Sequence, residues 1–333
     1  MRILVIACFI LAILFILSGK VGALTVSPPR MEISGERGQT INSEFELFNE
    51  QNEVKTFYSS FEAFEAAGET GAPRFFPATE GLATWIKAPA QVTLDLQERK
   101  VVPFSIQIPQ NADPGGHFAA IFWGTSPPQT QEGGQVTIGA KTGILVLLTI
   151  PGGEVKAGGG LLEFSTVSKQ KTFTFLPITF IYRFQNVSTD RIKPDGEIKI
   201  KNIFGMTSTI LPANKREGNV LPNSIRKFEV IWETRNNAKV EETLNNAKKI
   251  GFFEAVKKEW SDFHFGPYKA NLRLQYGAKN EEVKASFLFF IFPWQLLIII
   301  IIVLILVLIV GGIGIKKYNQ WIIAKALKEK RGE

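Results

Sequence analysis

The sequence predicts a mainly β protein, two tandem β-sandwiches followed by one membrane-spanning helix. Three observations predict it. From residue 24 to about residue 290, short runs of alternating apolar and polar residues are broken by Gly, Pro and Asn, the pattern of strands with one buried face. The chain holds 27 phenylalanines, which suit a pleated, half-buried surface. Leu296 to Ile315 is a run of twenty uncharged residues, enough as a helix to cross about 30 Å of hydrocarbon.

The first element is MRILVIACFILAILFILSGKVGA, residues 1–23: one Arg, an apolar run, then small residues. This is the layout of a secretory signal peptide cut after Ala23, with an uncleaved anchor as the alternative. Cys8, the only cysteine, sits inside that apolar run, so the exported chain has no thiol nucleophile, no disulfide and no Cys-based metal site. Its stability has to come from its core.

Residues 24–150 read as a first sandwich with seven strands: LTVSPPRMEIS, TINSEFELFNE, VKTFYSSFEAF, QVTLDL, VVPFSIQIP, HFAAIFWGT and KTGILVLLTIP. That count and spacing suit an immunoglobulin-like fold. PGGEVKAGGG, residues 151–160, has five glycines and little to pack, so it reads as a linker. Residues 161–290 read as a second immunoglobulin-like sandwich: GLLEFSTVS, which begins on the last linker glycine, LPITFIYRFQN, GEIKIKNIFG, TSTILP, SIRKFEVIWE, YKANLRLQYG and VKASFLFF. The halves share an echo. Leu47-Phe48-Asn49 precedes Val54-Lys55, and Phe184-Gln185-Asn186 precedes Ile192-Lys193; each is a strand ending on Asn before a short turn. Coincidence and duplication both explain it.

Residues 236–260, NNAKVEETLNNAKKIGFFEAVKKEW, break the β pattern with a helical insertion carrying Val240, Leu244 and Ala247 on one face. Either that face packs on its own domain, or Phe252, Phe253 and Trp260 beside four lysines place the helix in a lipid headgroup layer.

Residues 291–315 form the expected transmembrane helix, with Trp294 at one interface and Lys316, Lys317, Tyr318 and Trp321 at the other. The tail, residues 316–333, has five lysines and one arginine against two glutamates, which keeps it cytoplasmic by the positive-inside rule and makes the chain a type I, single-pass protein of the cell membrane with the lipid bilayer as its first partner. Between signal and tail the chain carries 30 basic and 29 acidic residues. The net charge of +7 is therefore a topology signal and supplies no footprint for nucleic acid.

Catalytic groupings are scarce. No GxSxG, HExxH, Walker or GxGxxG signature occurs, and two histidines cannot build a His-rich metal centre. The expectation is no enzyme, no cofactor and no metal. Asp113, Gly115, Gly116 and His117 form the one loop that combines a carboxylate, an imidazole and a glycine pair. A polar turn leading into a buried strand explains them, and they are retained as a candidate binding loop of the first domain. His264 stands beside a Gly266-Pro267 turn, with Tyr268 and Tyr276 read as strand residues of the core. Asn186-Val187-Ser188 matches an N-glycosylation sequon. EAFEAAGETG, residues 62–71, lacks calcium-loop spacing and reads as a solvated acidic loop.

The order of parts, with SPPRMEISGERGQTINSEFELFNEQNEVKTFYSSFEAF, LATWIKAPAQVTLDLQERKVVPFSIQIPQNADPGGHFAAIFWG and above all the P-x-x-A-x-P-G-G-H-F-A-A element at 109–120, resembles the WxL-interacting proteins of bacterial cell surfaces and, more distantly, the immunoglobulin-like domains of pilus chaperones. The resemblance covers nearly the whole chain in layout and residues 25–125 in motif. It implies a peptidoglycan-binding first domain, a host-binding second domain and a secreted surface protein as partner. The helical insertion departs from the family. Trp294-Gln295-Leu296 spells W-x-L but stands at the mouth of the membrane helix. Two readings result: an envelope protein that binds wall polymer or a surface partner without catalysis, or an envelope assembly chaperone or scaffold that captures a secreted subunit by β-strand addition.

Overall fold

The structure, a computed structural model, describes residues 24–127, 141–152, 159–233, 251–277 and 279–330. The expected signal peptide, most of the glycine-rich linker, and the insertion's first part with Val240, Leu244 and Ala247 lie outside them. The chain divides into two compact units. The first runs to Gly159 and includes Gln185–Ile192 and Asn219–Arg226; the second holds the rest.

In the first unit, one sheet has the order β1 (Leu24–Ser27), β3 (Thr40–Asn49), β8 (Arg99–Gln107), β6 (Ile86–Lys87). The other runs β2 (Arg30–Ser34), β10 (Lys141–Ile150), β9 (Gly115–Gly124), β4 (Lys55–Ala67), β5 (Ala72–Phe76), with β7 (Gln91–Leu94) also paired to β4. A one-turn helix, α1, spans Leu82–Trp85. Alternation drives the inner residues of both sheets into one core that includes Leu47, Phe57, Ile106, Ile121, Trp123, Ile144 and Leu148. The opposite face of β9 is covered as well, with Ala120 and Phe122 buried among Phe64, Phe75, Phe118 and Leu147.

The second sandwich repeats the plan. One sheet is β11 (Gly159–Thr166), β13 (Ile178–Asn186), β16 (Ser224–Trp232); the other is β12 (Thr172–Phe173), β18 (Glu281–Ile291), β17 (Gly266–Tyr276), β14 (Asp195–Asn202), β15 (Thr207–Pro212). Phe180, Ile198, Ile200, Leu272, Leu274 and Phe289 form its interior, and the buried Tyr182 hydroxyl donates to the Ala213 carbonyl at 3.1 Å. In both sandwiches the opening stretch divides between the two sheets, and its second piece pairs in parallel with the final strand: β2 with β10, and β12 with β18. This is the strand order of immunoglobulin-like sandwiches. Mainly β architecture in two such sandwiches is thus what the chain adopts.

The echo between the halves is one structural device. Asn49 ends β3 and Asn186 ends β13, and both are fully buried. Asn49 Nδ2 donates to the carbonyls of Glu53 and Asp95, each at 2.9 Å, and its Oδ1 accepts from Gln51 N–H at 3.1 Å. Asn186 Nδ2 donates to the carbonyls of Asp190 and Val220, each at 2.8 Å, and its Oδ1 accepts from Ser188 N–H at 2.8 Å. In both cases the amide closes the turn after its strand and ties it to a distant loop. The sequon at Asn186 is therefore occupied by internal hydrogen bonding.

Several elements differ from the sequence reading. LTVSPPRMEIS is two strands, because Pro28 and Pro29 offer no N–H to a ladder and the chain changes sheets there. EAFEAAGETG is not a loop: β4 continues through Ala67, turns, and pairs with β5, Glu65 opposite Arg74. The described part of the expected helical insertion is helical as read, over Phe252–Ser261 (α2), ending one residue later than expected. The C-terminal helix, α3, runs from Trp294 to Lys330. It passes Ile315 without a break, since the charged residues that follow are good helix formers.

Candidate functional site

The PGGH loop is built against a neighbouring turn of its own unit. Gly115 sits at φ 124°, and a Cβ there would lie 2.7 Å from the Thr189 carbonyl oxygen; one on Gly116 would lie 2.5 Å from Asp190 Oδ1. Gly116 N–H donates to the Thr189 carbonyl at 2.9 Å. The glycine pair lets residues 189–190 close directly onto the start of β9. His117 Nε2–H donates to the main-chain carbonyl of Asp113 at 2.8 Å, and its ring packs on Trp85 with centroids 4.8 Å apart. The imidazole thus caps a turn, with the backbone of Asp113 as its partner. The structure holds the four loop residues within one turn and strand start, with Asp113 exposed and Gly115 buried.

Beside that loop the first unit gathers charge. Glu32 on β2 meets Arg30 at 3.2 Å, Arg191 at 3.8 Å and the Asn219 amide at 2.8 Å. Arg191 reaches the Thr149 hydroxyl at 2.5 Å, and Arg226 donates to the Asn219 carbonyl at 2.8 Å. Arg30 and Arg226 border a cavity of about 160 Å³ whose apolar wall includes Phe64, Leu145 and Leu147. Sequence reasoning missed this cluster, since its members are scattered from residue 30 to residue 226.

Next to it, β10 presents a strand edge that is paired over only part of its length. β10 pairs with β9 along its whole length, from Lys141 opposite Gly124 to Ile150 opposite Gly115. On its other side β2 covers only Leu145–Thr149. Leu145 N–H donates across that side to Pro29 O at 3.0 Å. Main-chain groups alternate in direction along a strand, so those of Gly143 and Lys141 point the same way, where no described strand pairs with them. An open ladder of this kind accepts another strand. The uncovered half lies ahead of the start of β2 at Arg30, a limit that Pro28 and Pro29 mark in the sequence.

In the second unit, α3 is long and apolar enough to cross a membrane. Every residue from Ile300 to Lys317 is exposed around its circumference, a surface that water disfavours and hydrocarbon accepts. Trp294 stands exposed at its start, and Lys316, Lys317, Tyr318 and Trp321 stand exposed after the apolar run. The Glu259 carboxylate, on α2, accepts from Leu296 N–H at 2.6 Å. It occupies the positive end of α3, satisfying a donor that the helix itself leaves open. Burial pushes the Glu259 carboxyl above its ordinary range, against the opposing pull of the backbone hydrogen bonds from Leu296 and Gln295. Among the described residues, no group of three His, Cys, Asp or Glu side chains is placed to hold a metal ion.

No family model matches the chain, and no curated protein matches it either. Solved structures do. It is similar to the class 5 fimbriae chaperone CfaA at 10% identity over 80% of this chain and 98% of that one, TM-score 0.35. A structure of Salmonella enterica SafA pilin in complex with the SafB chaperone matches at 11% identity over 82% and 99%, TM-score 0.34. The YadV chaperone matches at 12% identity over 79% and 98%, TM-score 0.33.

Proposed function

We propose that this chain is a membrane-anchored envelope protein whose first sandwich captures a secreted protein subunit by β-strand addition, acting as an assembly chaperone or scaffold and not as a catalyst. One observation carries the reading: β10 is half covered, with the main-chain groups of Lys141 and Gly143 directed away from β9 and unmet by β2. An extended segment laid along this edge gains a ladder of backbone hydrogen bonds and continues the sheet whose inner side holds Ile144 and Val146. Backbone pairing of this kind accepts many sequences, and the residues beside it set preference. In this reading α3 holds the sandwiches on the outer face of the membrane, with the basic tail inside.

A photoreactive amino acid placed at Thr142, on the uncovered half, tests this in cells producing the full chain. The expected result is one discrete adduct, identified by mass spectrometry as a secreted protein, that is missing when the probe sits at Thr149 under β2. Equal labelling at both positions, or no adduct at Thr142, overturns the proposal.

A further inference from the structure

The end of the second sandwich from which the membrane helix departs is apolar on its outside, and the register fixes which residues gather there. Asn202 at the end of β14 is opposite Tyr268, and Tyr268 is opposite Phe289; Gly266 is opposite Ile291. The turn between β14 and β15 is therefore level with the start of β17 and the end of β18, where the chain passes through Phe292 and Pro293 into α3. That turn reads Ile203-Phe204-Gly205-Met206, and Phe204 is 81% exposed at its tip. The sequence preceding β17 adds exposed Phe263 and Phe265. At the far end of the same sheet the chain shows Asp195, Lys279, Asn280 and Glu281. The exposed aromatic residues gather at the end from which α3 departs, with Lys201 and Lys269 one register step behind them.

Helix α2 belongs to this end and is built the wrong way round for water. It buries Ala255 and the carboxylate of Glu259, while Phe253 is 81% exposed and Trp260 72% exposed. Phe253 and Trp260 are two turns apart, so they share a face. Phe252 meets Trp294 with ring centroids 6.2 Å apart, and Glu259 meets Leu296, so both ends of α2 are fixed to the first turn of α3. The outward face then borders an apolar recess of about 560 Å³ with Leu296, Ile300 and Val303 as its other wall. Val303 lies seven residues into the apolar run, about 10 Å along the helix axis. The recess stands at the depth of the outer half of a bilayer crossed by α3.

We infer that this end of the second sandwich is a lipid-embedded foot: the Ile203–Met206 turn and the Phe253–Trp260 face of α2 enter the outer leaflet of the bilayer that α3 crosses. Aromatic and aliphatic side chains at the start of a membrane helix suit the headgroup boundary, and the lysines of α2, Lys257 and Lys258, suit its phosphates. The occupant of the surface is lipid, because its apolar residues are continuous with a helix whose whole circumference needs hydrocarbon. The inference rests on the membrane-spanning part of the function proposed above and is independent of partner capture.

The experiment uses the full chain, with Cys8→Ser, in vesicles of phosphatidylethanolamine and phosphatidylglycerol. Single cysteines at Phe204, Lys279 and Leu306 carry an environment-sensitive dye. All three positions are exposed, so labelling leaves the fold intact. The expected result is that nitroxide near the carboxyl end of the lipid tails quenches the dye at 204, tail-end nitroxide quenches it at 306, and aqueous iodide alone quenches it at 279. Lipid quenching at 306 with only iodide quenching at 204 overturns the foot and leaves the membrane span standing. Loss of lipid quenching at 306 overturns both.

Discussion

Gly115→Ala isolates what the PGGH element does. The added methyl brings two costs that the structure locates separately. The residue keeps φ near 124°, outside the wells an L side chain favours, which costs about 1–3 kcal/mol. Its Cβ would also stand 2.7 Å from the Thr189 carbonyl oxygen, a backbone atom, and forcing that contact apart costs about 1–3 kcal/mol more. The total is about 4 kcal/mol, or a melting point lower by roughly 12 °C for a unit of this size. Gly68→Ala is the control: φ is 62° and nothing lies within 4 Å of the new atom, so about 1 kcal/mol is expected from the backbone alone. Differential scanning calorimetry of both variants in detergent measures the difference. If Gly115→Ala melts within a degree or two of Gly68→Ala, the junction with Thr189 is not where the glycine is needed. If it stays stable yet loses the Thr142 adduct, the loop contacts the partner directly and the structural account of it falls.

Asn49→Ala removes two donated bonds and one accepted bond in a buried turn, and at about 1 kcal/mol each the loss is about 3 kcal/mol; urea unfolding should give Asn186→Ala a cost of the same size, and a loss under about 0.5 kcal/mol in either would refute the shared role. The carboxyl of Glu259 is pushed up by burial, so the native state holds its proton more tightly than the unfolded chain does. That contribution is full below the ordinary carboxylate range and fades as pH rises through the raised value. Hydrogen exchange at the start of α3 should therefore be slowest under mildly acidic conditions after correction for intrinsic rates, and Glu259→Gln, which keeps an acceptor for Leu296 N–H, should flatten that dependence.

Local pattern carried the strands but not their limits. Alternation identified the long strands because each has one face in a core, as with Phe45 and Leu47 on β3. It ran straight through Pro28 and Pro29, where the missing N–H was the available sign that the ladder ends. It lost β5, since APRFF is short, contains a proline and follows an acidic run that looked solvated; pairing with β4 makes it a strand. The candidate site was less legible still. The open half of β10 depends on where β2 begins: Pro28 and Pro29 mark that limit on β2, but its place along β10 is a fact of register between residues more than a hundred positions apart. Glu259 carries no local sign of its role, because nothing near it in the sequence says that Leu296 will sit above it. The paired asparagines were visible as an echo, and only their hydrogen bonds show that the echo is one device used twice.

The position of Asn186 bears on how this protein can be made. Its amide is fully buried, and Ser188, the third residue of the sequon, donates its hydroxyl to the same side chain at 2.7 Å. Oligosaccharide transfer in a eukaryotic secretory pathway acts on chains that have not yet folded, so the sugar would arrive before Asp190 and Val220 close over the amide. A glycan has no room there, and its nitrogen could no longer serve both the Asp190 and Val220 carbonyls. Production in yeast or mammalian cells would therefore set modification of Asn186 against closure of its turn, whereas a bacterial host leaves the amide free to finish it.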